Sequence, residues 1–203
     1  MSDYITSNNF KTLNNIPTSD TQDDVAISSA ITSASRAIDV YCGRRFYQDG
    51  GTSAHVYKAV NRKMLFTQDI STDTGFVLKF DTGDNGTYDK TIASTDYELL
   101  PYNNIAGGIE TSPFYQIKMV EDDFPITGER ARVQVTARWG WASTPEAIVQ
   151  ACYLLASEYY FAKNAPFGIA GISEAGYSIT TRNSPMVRKL IDPYKRGDEF
   201  GIA

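Results

Sequence analysis

The chain offers few residues that can do chemistry, and their spacing decides between the options. His55 is the only histidine among 203 residues. That excludes a multi-histidine metal site and leaves a Ser–His or Cys–His nucleophile a single place to form. Cys42 and Cys152 are the two cysteines. They stand outside any CxxC spacing, and neither is spaced to suggest pairing with His55. Both fall on expected helices, where reduced, buried thiols are the ordinary state of an intracellular product. Asp81-Thr-Gly-Asp84-Asn-Gly86-Thr-Tyr-Asp89 partly follows a calcium-binding loop. It satisfies the first, fifth and sixth positions, but Gly83 stands at the third and Ile92 at the twelfth, so the bidentate glutamate is missing. A hairpin turn is the expectation there.

Paired carboxylates are the remaining catalytic option. Asp69 with Asp73, and Glu121-Asp122-Asp123, supply acid pairs, which read as solvated turns. An all-carboxylate glycosidase is the one enzyme class this leaves open. Arg44-Arg45 follow an expected helix end, where they either contact phosphate or pair with acids and helix carbonyls. The glycines around Gly168 and Gly171 do not make GxGxxG, and no P-loop is present. The expectation is therefore no catalytic residue, no cofactor and no metal.

Charge is the next constraint. The net charge is −5, which argues against binding nucleic acid by bulk electrostatics. The distribution is uneven. Asp3, Asp20, Asp23, Asp24 and Asp39 face only Lys11 and Arg36 in residues 1–43, whereas Arg182, Arg188, Lys189, Lys195 and Arg196 face only Asp192 in residues 182–196. A basic C-terminal segment on an acidic body suits an acidic partner, or simply a solvated last helix whose cations favour the dipole end. The 13 tyrosines and 10 phenylalanines suit strands, cores and protein interfaces. The polar stretch Met1 to Pro17 is unlike a signal peptide, and no run approaches the ~18 apolar residues of a membrane span. The expectation is a chain without membrane contact.

The elements that must position these residues follow from periodicity. Tyr4, Ile5, Phe10, Leu13 and Ile16 fit a docking arm or a short packed helix. Ser19-Asp-Thr-Gln22 matches a capping box. Ile27, Ile31, Ala34, Ile38 and Tyr41 then recur every three or four residues, so a helix is predicted over 20–42, closed by Gly43 in a left-handed cap. From Phe46 to Trp139 the period becomes two. Segments 56–60, 76–80, 97–100, 114–120 and 131–137 read as strands, and Asn85-Gly86 signals a two-residue hairpin. Thr144 and Pro145 open a helix to Lys163, with Ile148, Cys152, Leu155, Tyr159 and Ala162 on its apolar face. Gly168, Gly171 and Gly176 punctuate a hairpin over 167–180. Ser184-Pro185 opens a last helix, Met186 to Ile191.

The predicted fold class is α+β: a helical core of two long helices plus a short C-terminal helix, with a large antiparallel β insertion between the long helices. The organisation expected is an N-terminal arm over 1–19, a helical core over 20–46 and 139–196, a β-rich insertion over 47–138 and a loose tail over 197–203.

Three stretches in this order carry a resemblance: Ala30 to Phe46, ending Asp39-Val-Tyr-Cys-Gly43-Arg-Arg-Phe46; Val133 to Phe161, through Trp139-Gly-Trp141 and Pro145; and Ala165-Pro-Phe-Gly168-Ile with Val187 to Arg196, including Leu190-Ile-Asp-Pro-Tyr194. The ordered set resembles the head-tail connector (adaptor, head completion) proteins of tailed bacteriophages. The resemblance implies a structural virion protein at the head-tail neck, made in the bacterial host cytoplasm. It implies a ring, dodecameric by the family's habit, between the portal protein and the next neck, stopper or tail protein, prolonging a channel through which DNA passes without sequence-specific binding. It also implies that the C-terminal segment meets the portal, which nominates Arg182, Met186, Arg188, Lys189, Tyr194, Lys195 and Arg196 as an interface. The alternatives are another tail-completion or minor capsid protein, or a monomeric β-rich binding module whose Tyr-rich sheet is the recognition surface.

Overall fold

A computed structural model describes residues 2–162, 169–172, 178–180 and 185–196. The chain is α+β, with helices and an antiparallel sheet. It divides into two compact units, one mainly helical, up to Phe46 and over Thr144–Asp198, and one β-rich, over Tyr47–Ser143.

Four α-helices are present among the described residues of the helical unit: α1 (Ser7–Leu13), α2 (Asp24–Cys42), α3 (Glu146–Ala162) and α4 (Pro185–Ile191). The stretch before Pro17 therefore contains a packed helix. Thr6 caps it by accepting from the Asn9 N–H at 3.2 Å. Phe10 is fully buried, with its ring edge-on to Tyr160 at 5.5 Å and tilted against Tyr153 at 6.2 Å. Lys11 is buried too, donating to the Asp20 carbonyl at 2.6 Å and pairing with Asp24.

The capping box expected at Ser19–Gln22 does not form. The Asp20 carboxylate instead accepts from the Gln22 N–H at 3.0 Å, a local turn, and α2 begins at Asp24. Its N-cap residue Asp23 makes no side-chain cap bond, and its carboxylate accepts the Tyr160 hydroxyl at 2.6 Å. A side chain engaged across the unit competes with local capping. Ile27, Ile31, Ala34 and Ile38 are buried as their spacing requires, joined by Ala30, Ser35 and Cys42. Tyr41 is 37% exposed. Gly43 ends the helix at φ 64°, the left-handed conformation that glycine adopts at no steric cost.

The Pro145 carbonyl accepts from Ile148 and Val149, so α3 starts one residue past the proline. Its buried residues are Ile148, Ala151, Cys152, Ala156 and Tyr160. Tyr159, expected inside, is 41% exposed. The buried face drifts because Phe10 and Asp23 draw Tyr160 inward. Strands β7 (Ile169–Ile172) and β8 (Ser178–Thr180) form an antiparallel pair. Gly168 and Gly176 of the expected hairpin lie outside the described residues, as does the tail from Gly197.

The β unit is a six-stranded antiparallel sheet: β1 (Ser53–Tyr57), β2 (Met64–Phe80), β3 (Lys90–Thr91), β4 (Tyr97–Leu100), β5 (Phe114–Met119) and β6 (Val133–Trp139), in the order β1-β6-β2-β5-β4, with β3 on β2. Val133, Val135, Ala137 and Trp139 alternate inward along β6, meeting Leu65, Ile70, Leu78 and Phe80 of β2 and Ile117 and Met119 of β5. Strand β2 has 17 residues, more than three times the 76–80 segment that periodicity predicts. From Thr67 to Gly75 it is polar in sequence apart from Ile70, yet Thr67, Asp69 and Ser71 are buried, which is tolerable because their side chains are bonded. The Ser71 hydroxyl donates to the Arg138 carbonyl at 2.8 Å, and Asp69 accepts the Trp141 indole N–H at 3.1 Å.

The Trp139-Gly140-Trp141 motif closes this unit. Both indoles are buried. Gly140 sits at φ 98°, and a Cβ there would lie 1.9 Å from the Tyr47 carbonyl oxygen, so only glycine fits. Its N–H donates to the Asp69 carbonyl at 2.7 Å.

Candidate functional site

Most of the chemical candidates find a structural partner. His55 stacks flat on Trp139, with centroids 4.3 Å apart. The Cys42 thiol faces the Ile191 carbonyl at 3.8 Å, and burial pushes it up to about 12. Cys152 lies 3.4 Å from the Ser35 hydroxyl, and burial pushes its thiol up to about 11. Neither supplies the thiolate that a nucleophile needs at neutral pH.

The Asp81–Asp89 loop is built by its own backbone. Asp81 accepts from Asn85 at 3.2 Å and from Gly86 at 2.6 Å, Asn85 accepts from Thr87, and Asp89 accepts both the N–H and the hydroxyl of Thr82. Burial works to raise the Asp81 carboxyl, but these N–H donors and Arg132 outweigh it and hold the carboxyl low. Positive φ falls on Asp84 and Gly86 rather than on the pair 85–86. The two-residue hairpin is thus replaced by a longer carboxylate-organised loop between β2 and β3. Among the described residues, no group of three or more His, Cys, Asp or Glu side chains is placed to hold a metal.

Of the acid pairs, Asp69, Asp122 and Asp123 are likewise used. Asp69 holds Trp141. Asp122 pairs with Lys90 at 2.5 Å, and Asp123 with Lys63 at 3.0 Å and Arg62 at 3.5 Å, Lys63 above all holding the Asp123 carboxyl low. Arg44 donates its backbone N–H to the Asp39 carbonyl, and the charge of Arg45 acts on the Asp39 carboxyl.

What remains is a surface. Helix α4 is seated by Val187 and Ile191, both buried, while Met186, Arg188 and Lys189 point outward and Met186 is 63% exposed. A 3₁₀ turn over Asp192–Tyr194 follows. Tyr194 packs edge-on against Phe46 at 5.7 Å, Asp192 accepts the Tyr41 hydroxyl at 2.5 Å, and the Arg196 N–H donates to the Cys42 carbonyl at 2.9 Å. The seven nominated residues therefore separate. Met186, Arg188, Lys189 and Lys195 are presented outward. Tyr194 and Arg196 fasten the segment to the end of α2, and Arg182 lies outside the described residues.

Sequence reasoning missed the receiving side of that contact. Tyr41, Cys42, Gly43 and Phe46 form the seat. Tyr4 helps to hold it, since its hydroxyl donates to Asp39 and accepts the Phe46 N–H at 3.0 Å. The only sequence signal was the helix end at Gly43, which marks where α2 leaves carbonyls free for another segment to bond.

Over residues 3–197 the sequence matches the family described as head completion protein. The chain belongs to that family. As a head completion protein it is a structural component of the virion and not an enzyme. No curated protein sequence matches it. Its fold is shared with a chain in the neck of an empty gene transfer agent particle computed with C6 symmetry, at TM-score 0.60 and 19% identity, covering 98% of this chain and 92% of that one. A chain in the neck of a native particle computed with C12 symmetry matches at TM-score 0.53 and 19% identity, covering 87% and 85%. A chain in the native gene transfer agent virion matches at 0.58 and 18% identity, covering 98% and 92%. No helix among the described residues is long and apolar enough to cross a membrane.

Proposed function

We propose that this head completion protein is a head-tail connector: a ring-forming neck subunit between the portal and the next neck or tail protein, extending the channel through which DNA passes. The observation that carries this is the breadth of the family match, which runs through both units rather than through one common helix pair. In this reading α2 and α3, with α4 beside them, form the connector core, and the β unit is an insertion between the long helices. Twelve copies fit the symmetry used for the neck of one fold neighbour. A net charge of −5 suits a channel that lets DNA slide rather than gripping it.

The portal-facing surface is the basic C-terminal segment, Arg182 to Arg196. Arg188 and Lys195 supply exposed charge, and Tyr194 and Arg196 hold the segment in place. Cryo-EM of the purified chain, alone and with a portal ring from the same genome, tests this. The expected result is a closed ring stacked on the portal with α4 at the contact. A monodisperse monomer that ignores the portal overturns it in favour of a β-rich binding module.

A further inference from the structure

The outward side of α2 is a trough. Two adjoining hollows of about 470 and 540 Å³ run along it, sharing Ser29 and Ser33. Small side chains make the floor, Tyr159 of α3 stands on one side, and Val25 is 86% exposed. The rim is acidic. Asp24 lines one hollow and pairs with Lys11, whose ammonium also donates to the Asp20 backbone carbonyl, so Asp20, Asp23 and Asp24 stand there against one buried lysine. Asp3 accepts the Thr32 hydroxyl at 2.9 Å further along the same hollow. The cations beside this face are occupied: Lys11 is 2% exposed and Arg36 pairs with Asp39 at 3.3 Å.

The opposite charge sits on α4. With Val187 and Ile191 buried, Met186 and Lys189, three residues apart, share one flank of the helix, and Arg188 lies on the other. An exposed apolar side chain beside a lysine complements an uncharged floor with an acidic rim. We propose that the α2 trough receives α4 of a neighbouring copy, with Met186 on the floor and Lys189 against the acids around Asp20 and Asp24. The contact is head-to-tail, using different patches on the two sides of each subunit, as ring closure demands. It rests on the ring reading above and leaves Arg188 and Lys195 for the portal.

The test uses the full chain, with oligomeric state read by sedimentation velocity. Ser29→Trp fills the trough, and Lys189→Glu reverses the charge on α4. Each alone is expected to weaken ring formation by about tenfold or more. An equal mixture of the two stops at dimers, because one intact trough and one intact α4 remain between them. Asp20→Lys added to Lys189→Glu restores rings, which also shows that the variant folds. Arg188→Glu leaves rings intact. Rings that persist in both single variants overturn this contact and leave the ring reading standing. A wild-type chain that stays monomeric at its highest soluble concentration overturns both.

Discussion

At the scale of single residues, the polar groups that drew attention as chemistry work as fasteners. Asp69 carries an indole, Asp81 a loop, and Asp39 the hydroxyl of Tyr4. Burial lifts the Asp39 carboxyl above its ordinary range, against the pull of the Tyr4 hydroxyl, Arg36 and Arg45. A carboxyl whose value is higher folded than unfolded binds its proton first in the folded state. Its protonation therefore stabilises, and the gain grows as pH falls through the folded value toward the unfolded one near 3.9. Melting temperatures of wild type and Asp39→Asn should diverge in favour of wild type as the pH is lowered toward the ordinary carboxylate value near 3.9. A pH-independent difference would refute the assignment. Gly140 makes a sharper case. Gly140→Ala drives a methyl group into the Tyr47 carbonyl at a positive φ, and a loss of about 3 kcal/mol or more is expected in denaturant unfolding. A loss under ~1 kcal/mol would mean that the backbone relaxes there freely.

At the scale of elements, helix α1 was only half legible. Its seven residues are too few to be stable alone, and its spacing fits an arm as well as a helix. Burial of Phe10 between Tyr153 and Tyr160, and of Lys11 beside Asp24, turns it into part of the core. Phe10→Ala should cost about 3–5 kcal/mol, as truncations of buried aromatics do, read from chemical denaturation. A change under ~1 kcal/mol would return the segment to the status of an arm. Strand β2 shows the converse. Its stretch from Thr67 to Gly75 carries no alternating apolar signal, because buried positions there are filled by Thr67, Asp69 and Ser71, and the partners of Asp69 and Ser71 come from distant segments. No local pattern announces a polar residue that is satisfied by a strand about seventy residues away.

At the scale of the whole molecule, the sequence by itself determined a mixed chain: an amphipathic helix closed by Gly43, a period-two middle, a second helix after Pro145, and neither a multi-histidine site nor a phosphate-binding motif. Those features depend on local spacing and on residue type, which any reader of the chain can count. The ordered motifs around Gly43, Trp139-Gly-Trp141 and Tyr194 also sufficed to indicate the family that the match over residues 3–197 establishes. Only the tertiary structure decided which polar residues are fasteners. It separated Tyr194 and Arg196, which hold the C-terminal segment to α2, from Met186, Arg188 and Lys189, which face outward. It also revealed the trough on α2, because serines and threonines on a helix look like any solvated face until the neighbouring side chains show what space they leave. The physical reason is the same in each case. Periodicity reports which side of an element is apolar, whereas the role of a polar side chain is set by partners that the fold brings from elsewhere.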